Sequence, residues 1–252
     1  MKYAKVLNNN EKRWGVIDGD TVKLMKGTPY AGVELTGEEV SLSEAKLCAP
    51  CDPSKIVCIG KNYFDHAVEF GEPVPGTPTI FIKPNTSLND PDGLVEYPSA
   101  SKRVDYEGEF AFVIKKTAHK VKAADAAEYI LGYTCVNDVT ARDIQKSDAQ
   151  WTRGKGFDTF CPAGPIVSDE FDPAKGIVIR TYLNGELKQD AKTDLLMWDV
   201  PFLMEFITEC MTLLPGDIVS TGTPVNVGPM QPGDKVTVFV EGIGELTNTV
   251  VK

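Results

Sequence analysis

Short stretches in which apolar and polar residues alternate recur along the chain, separated by Asn, Gly and Pro. They predict strands far more often than helices. In the first fifty residues "YAKVLNN", "RWGVIDG" and "TVKLMKG" read as short strands of a small β unit, divided by turn residues. "LCAPCDPSK" is a Pro-interrupted link, and "KIVCIGKNY" (55–63) is a strand carrying Val57 and Ile59 that ends on Gly60. Further on, "TIFIKP", "EFAFVIKK", "YTCVNDV", "IVIRTYLNGEL", "DIVSTGTP" and "DKVTVFVEGIGELTNTVV" continue the strand pattern. The Asn-Gly pair of "LNGEL" marks a two-residue hairpin turn.

Helical spacing is rarer. "DHAVEFG" has helical character; "AADAAEYILG" places Ala127, Ile130 and Leu131 on one side. "DVPFLMEFITECMTL" has Pro201 suited to a first turn and a stripe of Phe202, Phe206, Ile207 and Met211 that reads as core. Many strands with few helices predict a mixed α+β chain, predominantly β, with rolled or sandwiched sheets in place of alternating βαβ units. The expected division is a small N-terminal β domain over 1–52 and a larger domain over 53–252.

One strand carries the wrong residues for an ordinary core. In "RVDYEGEFAFVI" (103–114), Phe110, Phe112 and Ile114 alternate on one face and Ala111 and Val113 line the other. Glu107 and Glu109 fall on that second face, about 7 Å apart. Buried like charges need a counter-charge. A third acid, Asp138, ends the apolar strand "YTCVND". Three carboxylates suit a hard cation such as Mg²⁺ or Mn²⁺, and a motif without His or Cys disfavours zinc.

Other polar residues join this pattern. His66 and Glu69, three apart, share one face of a helical turn, where the carboxylate can orient the imidazole as a base. Arg142 and Gln145 follow Asp138 by four and seven residues and share its side if the segment is helical. Arg153 and Lys155 sit between glycines in "QWTRGKGFDTF", read as a loop open to a ligand. "STGTP" (220–224) presents hydroxyls and backbone N–H groups in a tight turn that could hold a carboxylate. His119 lies among lysines and reads as surface.

Composition narrows the classes. At 252 residues with 42% hydrophobic content, the chain can bury a sizeable core. A net charge of −10 argues against nucleic-acid binding. No apolar run is long enough to span a membrane, and "MKYAKVLNNNEKRWG" lacks the apolar core of a signal peptide, so the cytoplasm is the expected location. Six cysteines in a chain of this size read as reduced thiols, and "CAPC" (48–51) as a chance pair.

Taken together, "KIVCIGKNYFDHAVE", "VDYEGEFAFVI", "GYTCVNDVTARDIQ", "WTRGKGFDTFCPAGP", "LNGE" and "LLPGDIVSTGTPVNVGP" resemble the fumarylacetoacetate hydrolase family over positions 53–252. Residues 1–50 resemble the small N-terminal β domain of many bacterial members. The resemblance implies a mixed β-roll, a homodimer, and Mg²⁺ or Mn²⁺ held by Glu107, Glu109 and Asp138. It implies a His66–Glu69 dyad as in the acylpyruvate hydrolase branch, a catalytic Lys155, and substrate contacts from Arg142, Gln145 and Thr223. The activity it implies is metal-dependent hydrolysis of a C–C bond in small β-diketo or α-keto acids. The alternative is an isomerase or decarboxylase, such as a 2-hydroxyhepta-2,4-diene-1,7-dioate isomerase or an oxaloacetate decarboxylase. A silent oxoacid- or metal-binding protein is the reading outside enzymes. The segment "FGEPVPGTP" after Glu69 is expected to form part of a lid.

Overall fold

The computed structural model describes residues 1–69, 71 and 74–252. Strands dominate it, as the alternation predicts, and the chain is mixed α+β with open sheets. The N-terminal strands Lys2–Asn8, Glu11–Asp18, Thr21–Met25 and Leu35–Ser41 run antiparallel. Lys2–Asn8 also pairs with Cys161–Ser168, so one sheet continues from these strands into the rest of the chain. That sheet continues through Ile130–Asn137, Gly108–Ile114, Ile218–Ser220 and Ile56–Gly60 to an edge at Thr79–Lys83. A second sheet of five strands contains the hairpin Val178–Leu183 and Glu186–Lys192. Its turn places Asn184 and Gly185 at φ 53° and 81°, as an Asn-Gly turn requires.

Gly108–Ile114 is buried along its whole length. Phe110, Phe112 and Ile114 enter one apolar cluster with Leu203, Met204 and Ile207, while Ala111 and Val113 enter another with Ile56, Cys58 and Val136. The two predicted faces are therefore real, and both are covered. Burial of these side chains at about 25 cal/mol per Å² is the main force holding the strand that presents Glu109.

Several local expectations are corrected. Residues 103–114 are not one strand: Val104–Tyr106 belongs to a separate three-stranded sheet, and the chain breaks at Glu107 before Gly108–Ile114 begins. The break is fixed because Glu107 N donates to Asn137 Oδ1 (3.0 Å) and Gly108 N to Gln189 Oε1 (3.1 Å). A Cβ at Gly108 would lie 1.9 Å from Thr181 Oγ1, so only glycine fits there.

The predicted helix over 123–132 is a 3-10 stretch, Ala123–Tyr129. Ile130 and Leu131 already belong to the following strand, and Ala126 faces inward in place of Ala127. The helix Val200–Cys210 forms with Pro201 in its first turn and Asp199 as its N-cap, accepting from Phe202 N. Its buried stripe is Val200, Leu203, Met204 and Ile207. Phe202 and Phe206 stack on each other at 6.0 Å on the outer side, so the helix is rotated from the predicted face.

Asp138 precedes the helix Arg142–Ser147 and is not part of it. Residues Thr152–Lys155 form one helical turn in place of the expected loop. From it Arg153 turns out to Asp148 while Lys155 turns in. The lid expectation falls partly on residues 70, 72 and 73, which lie outside the described residues. The cysteines are unpaired; Cys48 and Cys51 are buried. No helix among the described residues is long and apolar enough to cross a membrane.

Candidate metal and oxoacid site

Glu107, Glu109 and Asp138 each offer one carboxylate oxygen within 4.8 Å of the others, and all three are buried. The elements explain the convergence. Asn137 pairs with Gly108 across adjacent strands, so Asp138, one residue on, emerges beside Glu107; Asp138 N donates to Glu107 O at 2.8 Å. Glu109 points from the same strand toward the turn that follows Ile218–Ser220.

The predicted counter-charges are present, joined by one the pattern does not reveal. Lys155 Nζ donates to Glu107 Oε2 (2.8 Å) and Asp138 Oδ2 (2.6 Å). Arg142 Nη2 donates to Glu107 Oε1, Nε to Asp105 Oδ2 (2.8 Å) and Nη1 to Gln145 Oε1 (2.7 Å). Lys83, fully buried at the end of the edge strand, donates to Asp138 Oδ1 at 2.6 Å and Val139 O at 3.0 Å. A lysine closing an alternating strand, as in "TIFIKP", reads as an exposed end; nothing local shows that Asp138 covers it.

These pairings split the carboxylates electrostatically. Burial alone would raise Glu107, but the Lys155 and Arg142 charges outweigh it and hold the carboxyl well below its usual range. Glu109 behaves oppositely: burial, reinforced by Asp138 and Glu107, pushes it up to about 8. Its partners are neutral, the Ser220 hydroxyl and Gly222 N (2.9 Å). Among the described residues it has no ion-pair partner. The "STGTP" turn thus holds a carboxylate, but the protein's own.

A buried carboxylate short of positive charge, with one oxygen from each of two other acids within 4.8 Å, fits a hard divalent cation. Lys155, although buried, stays protonated: burial would lower it, but Asp138 and Glu107 raise it further.

His66 and Glu69 lie on the short helix Phe64–Glu69, with Nδ1 2.8 Å from Glu69 Oε2. A carboxylate can only accept, so Nδ1–H donates and Nε2 is the basic nitrogen of the neutral ring. Glu69 Oε1 accepts from Asn226 N at 3.0 Å, which fixes the dyad from the loop after Thr223. His66, the three acids, Arg142, Gln145, Lys155 and Thr223 all line one cavity of about 270 Å³. Phe81 and Trp151 form its wall, packed edge to face at 5.3 Å; Gly60 leaves room for the Trp151 ring, which a Cβ there would meet at 2.6 Å. His119 is apart, near Thr212, and Arg153 is at the surface.

Two family models match the chain: the fumarylacetoacetate (FAA) hydrolase C-terminal model over residues 55–251 and an Rv2993c-like N-terminal model over 1–50. Protein Rv2993c of Mycobacterium tuberculosis is 45% identical, covering 100% of this chain and 98% of that protein. Oxaloacetate tautomerase YisK of Bacillus subtilis is 40% identical, the match covering 86% of this chain and 77% of that protein. The crystal structure of 2-hydroxyhepta-2,4-diene-1,7-dioate isomerase from Mycobacterium marinum superimposes with a TM-score of 0.92 at 42% identity, covering 100% of this chain and 98% of that one. Fumarylpyruvate hydrolase from Pseudomonas aeruginosa, solved with Mn²⁺ and pyruvate, gives 0.74 at 30% identity over 80% of this chain and 91% of that one.

Proposed function

This chain belongs to the fumarylacetoacetate hydrolase family, and on that premise we propose that it is a divalent-cation-dependent enzyme interconverting keto and enol forms of a small 2-oxo dicarboxylic acid. One observation carries the reading: three buried carboxylates, one of them short of positive charge, converge in a small cavity beside a carboxylate-oriented histidine. The names of the relatives favour this tautomerase or isomerase chemistry over the hydrolysis expected first. Hydrolytic cleavage of an acylpyruvate is the second reading, favoured by the His66–Glu69 dyad, which could also activate water.

Glu107, Glu109 and Asp138 would hold Mg²⁺ or Mn²⁺, which supplies Lewis-acid stabilisation of negative charge on the substrate's oxygens. Arg142 and Lys155 add fixed positive charge on the cavity wall, where a developing enolate needs it. His66 Nε2 takes the proton from the carbon next to the ketone, and the protonated ring or a water then gives a proton to the enolate oxygen to complete the enol; the same two transfers in reverse order regenerate the ketone. Glu69 keeps the ring in the tautomer that can accept it. The wall of Phe81 and Trp151 limits water around these charges.

The test is product analysis with oxaloacetate and acylpyruvates after EDTA treatment and readdition of Mg²⁺ or Mn²⁺. Enol–keto interconversion without fragments supports the proposal; pyruvate plus a second acid supports hydrolysis; CO₂ supports a decarboxylase. Full turnover in metal-free protein removes the basis of all three. His66→Ala should lose about 10²–10⁴-fold in turnover while keeping its metal; loss of the metal would mean that His66 belongs to the ligand set. A homodimer in the cytoplasm completes the proposal. The unpaired cysteines suit a reducing compartment, and sedimentation would test the dimer.

A further inference from the structure

Gln189 is absent from every motif that pointed to the site, yet it is fully buried and reaches it from the other sheet. It lies on Glu186–Lys192, opposite Thr181, whose hydroxyl abuts Gly108. Its Oε1 accepts from Gly108 N (3.1 Å), inside the Glu107–Glu109 break. Its Nε2 donates to Thr223 Oγ1 (2.9 Å) and Pro224 O (2.7 Å), with Val225 O at 3.4 Å. The amide has one orientation, because a flip would set its oxygen against the Pro224 carbonyl.

Thr223 follows from this. Its oxygen accepts from Gln189, and its own proton goes to Gly108 O at 2.9 Å. The hydroxyl proton is spent inside the protein, so the Thr223 side chain offers an oxoacid no donor; what it does is hold the 220–224 turn, which lines the cavity at Thr223, against the backbone at Gly108. One side chain thereby ties the backbone between two of the acids to the turn that carries Thr223.

We propose that Gln189 is a positioning residue for oxoacid binding, acting through Thr223 and Gly108 and touching neither the cation nor the substrate. This rests on the functional reading above for the ligand class, but it is tested by binding and not by turnover. The probe is oxalate, a planar dicarboxylate resembling a 2-oxo acid enolate, titrated calorimetrically into Mn²⁺-loaded Gln189→Leu, Thr223→Val and the double variant. Mn²⁺ affinity is read separately by electron paramagnetic resonance.

Each single variant should weaken oxalate about tenfold, the double no more than either, and Mn²⁺ affinity should stay within about threefold. Wild-type oxalate affinity in Gln189→Leu, or single effects that multiply in the double variant, overturns the proposal. Gln189→Glu keeps the acceptor for Gly108 and loses the donors to Thr223 and Pro224, so it tests the same link if the Leu variant does not fold. Absence of oxoacid turnover in the wild type, with these oxalate results intact, would remove the functional reading alone.

Discussion

Asp217 and Glu109 are both buried carboxylates tied to opposite ends of one short strand, Ile218–Ser220, and they have opposite electrostatic characters. Asp217 accepts from Ser54 N (2.8 Å) and Oγ (2.7 Å), Lys55 N (3.1 Å) and Nζ (2.6 Å), and Leu214 N (2.8 Å). Burial would raise it, but the Lys55 ammonium and these donors outweigh burial and hold it below its usual range. Among the described residues Glu109 receives only the Ser220 hydroxyl and the Gly222 N–H, with two acids nearby, and is pushed up. Burial is common to both; donor supply separates them. A carboxylate saturated by its own chain is structural, and one left short of positive charge is open to an added cation.

Glu109 is where this contrast is most exposed to experiment. Glu109→Gln should abolish Mn²⁺ binding and turnover, yet leave the metal-free protein at least as stable as the parent, because a neutral amide matches the uncharged form that burial and the two other acids already favour. Calorimetry and urea unfolding would check both; a large loss of stability would make Glu109 a structural acid after all. Asp217→Ala should do the reverse: unfolding should cost about 2–4 kcal/mol less, as five donors lose their acceptor, with Mn²⁺ affinity retained at permissive temperature. Ser220→Ala removes one of the two donors on Glu109 and should weaken Mn²⁺ about 10–100-fold, the usual cost of losing a group that orients a ligand.

A smaller difference between the two acids should show in pH dependence. Glu109 binds its proton more tightly in the folded state, so between about 4.5 and about 8 the native protein carries more protons than the unfolded chain. Metal-free stability should therefore fall as pH rises through that window. Asp217 has the opposite sign: its contribution is present above 3.8, its unfolded value, and is lost as pH falls through its lower native one. Denaturant midpoints of metal-free protein across this window, against Glu109→Gln, would show the slope disappear; an equal slope in both would assign it to other groups.

Features set by neighbours in sequence were legible. The two faces of Gly108–Ile114, the His66–Glu69 contact and the Asn184–Gly185 turn each depend on side chains within a few residues. Features set by distant packing were not. Residues 103–114 alternate without interruption, and the break at Glu107 exists because Asn137 and Gln189 capture its backbone. The helix Val200–Cys210 carries apolar residues on more than one side, so periodicity alone did not choose between Phe202 with Phe206 and Leu203 with Met204. Ile130 and Leu131 fit a helix or a strand by pattern, and the pairing of Ile130 with Ile114 and of Gly132 with Val113 in the sheet decided for strand.

Spacing and residue type are local facts, and they suffice to say that acids sit where an apolar strand should be, accompanied by positive charge and a histidine–carboxylate pair. Which acid is neutralised and which is left wanting was settled by packing in three dimensions. Lys83, Lys155, Ser220 and Gln189 come from four separate segments, and a carboxylate's charge state depends on the donors that surround it in space, whatever their order in the chain.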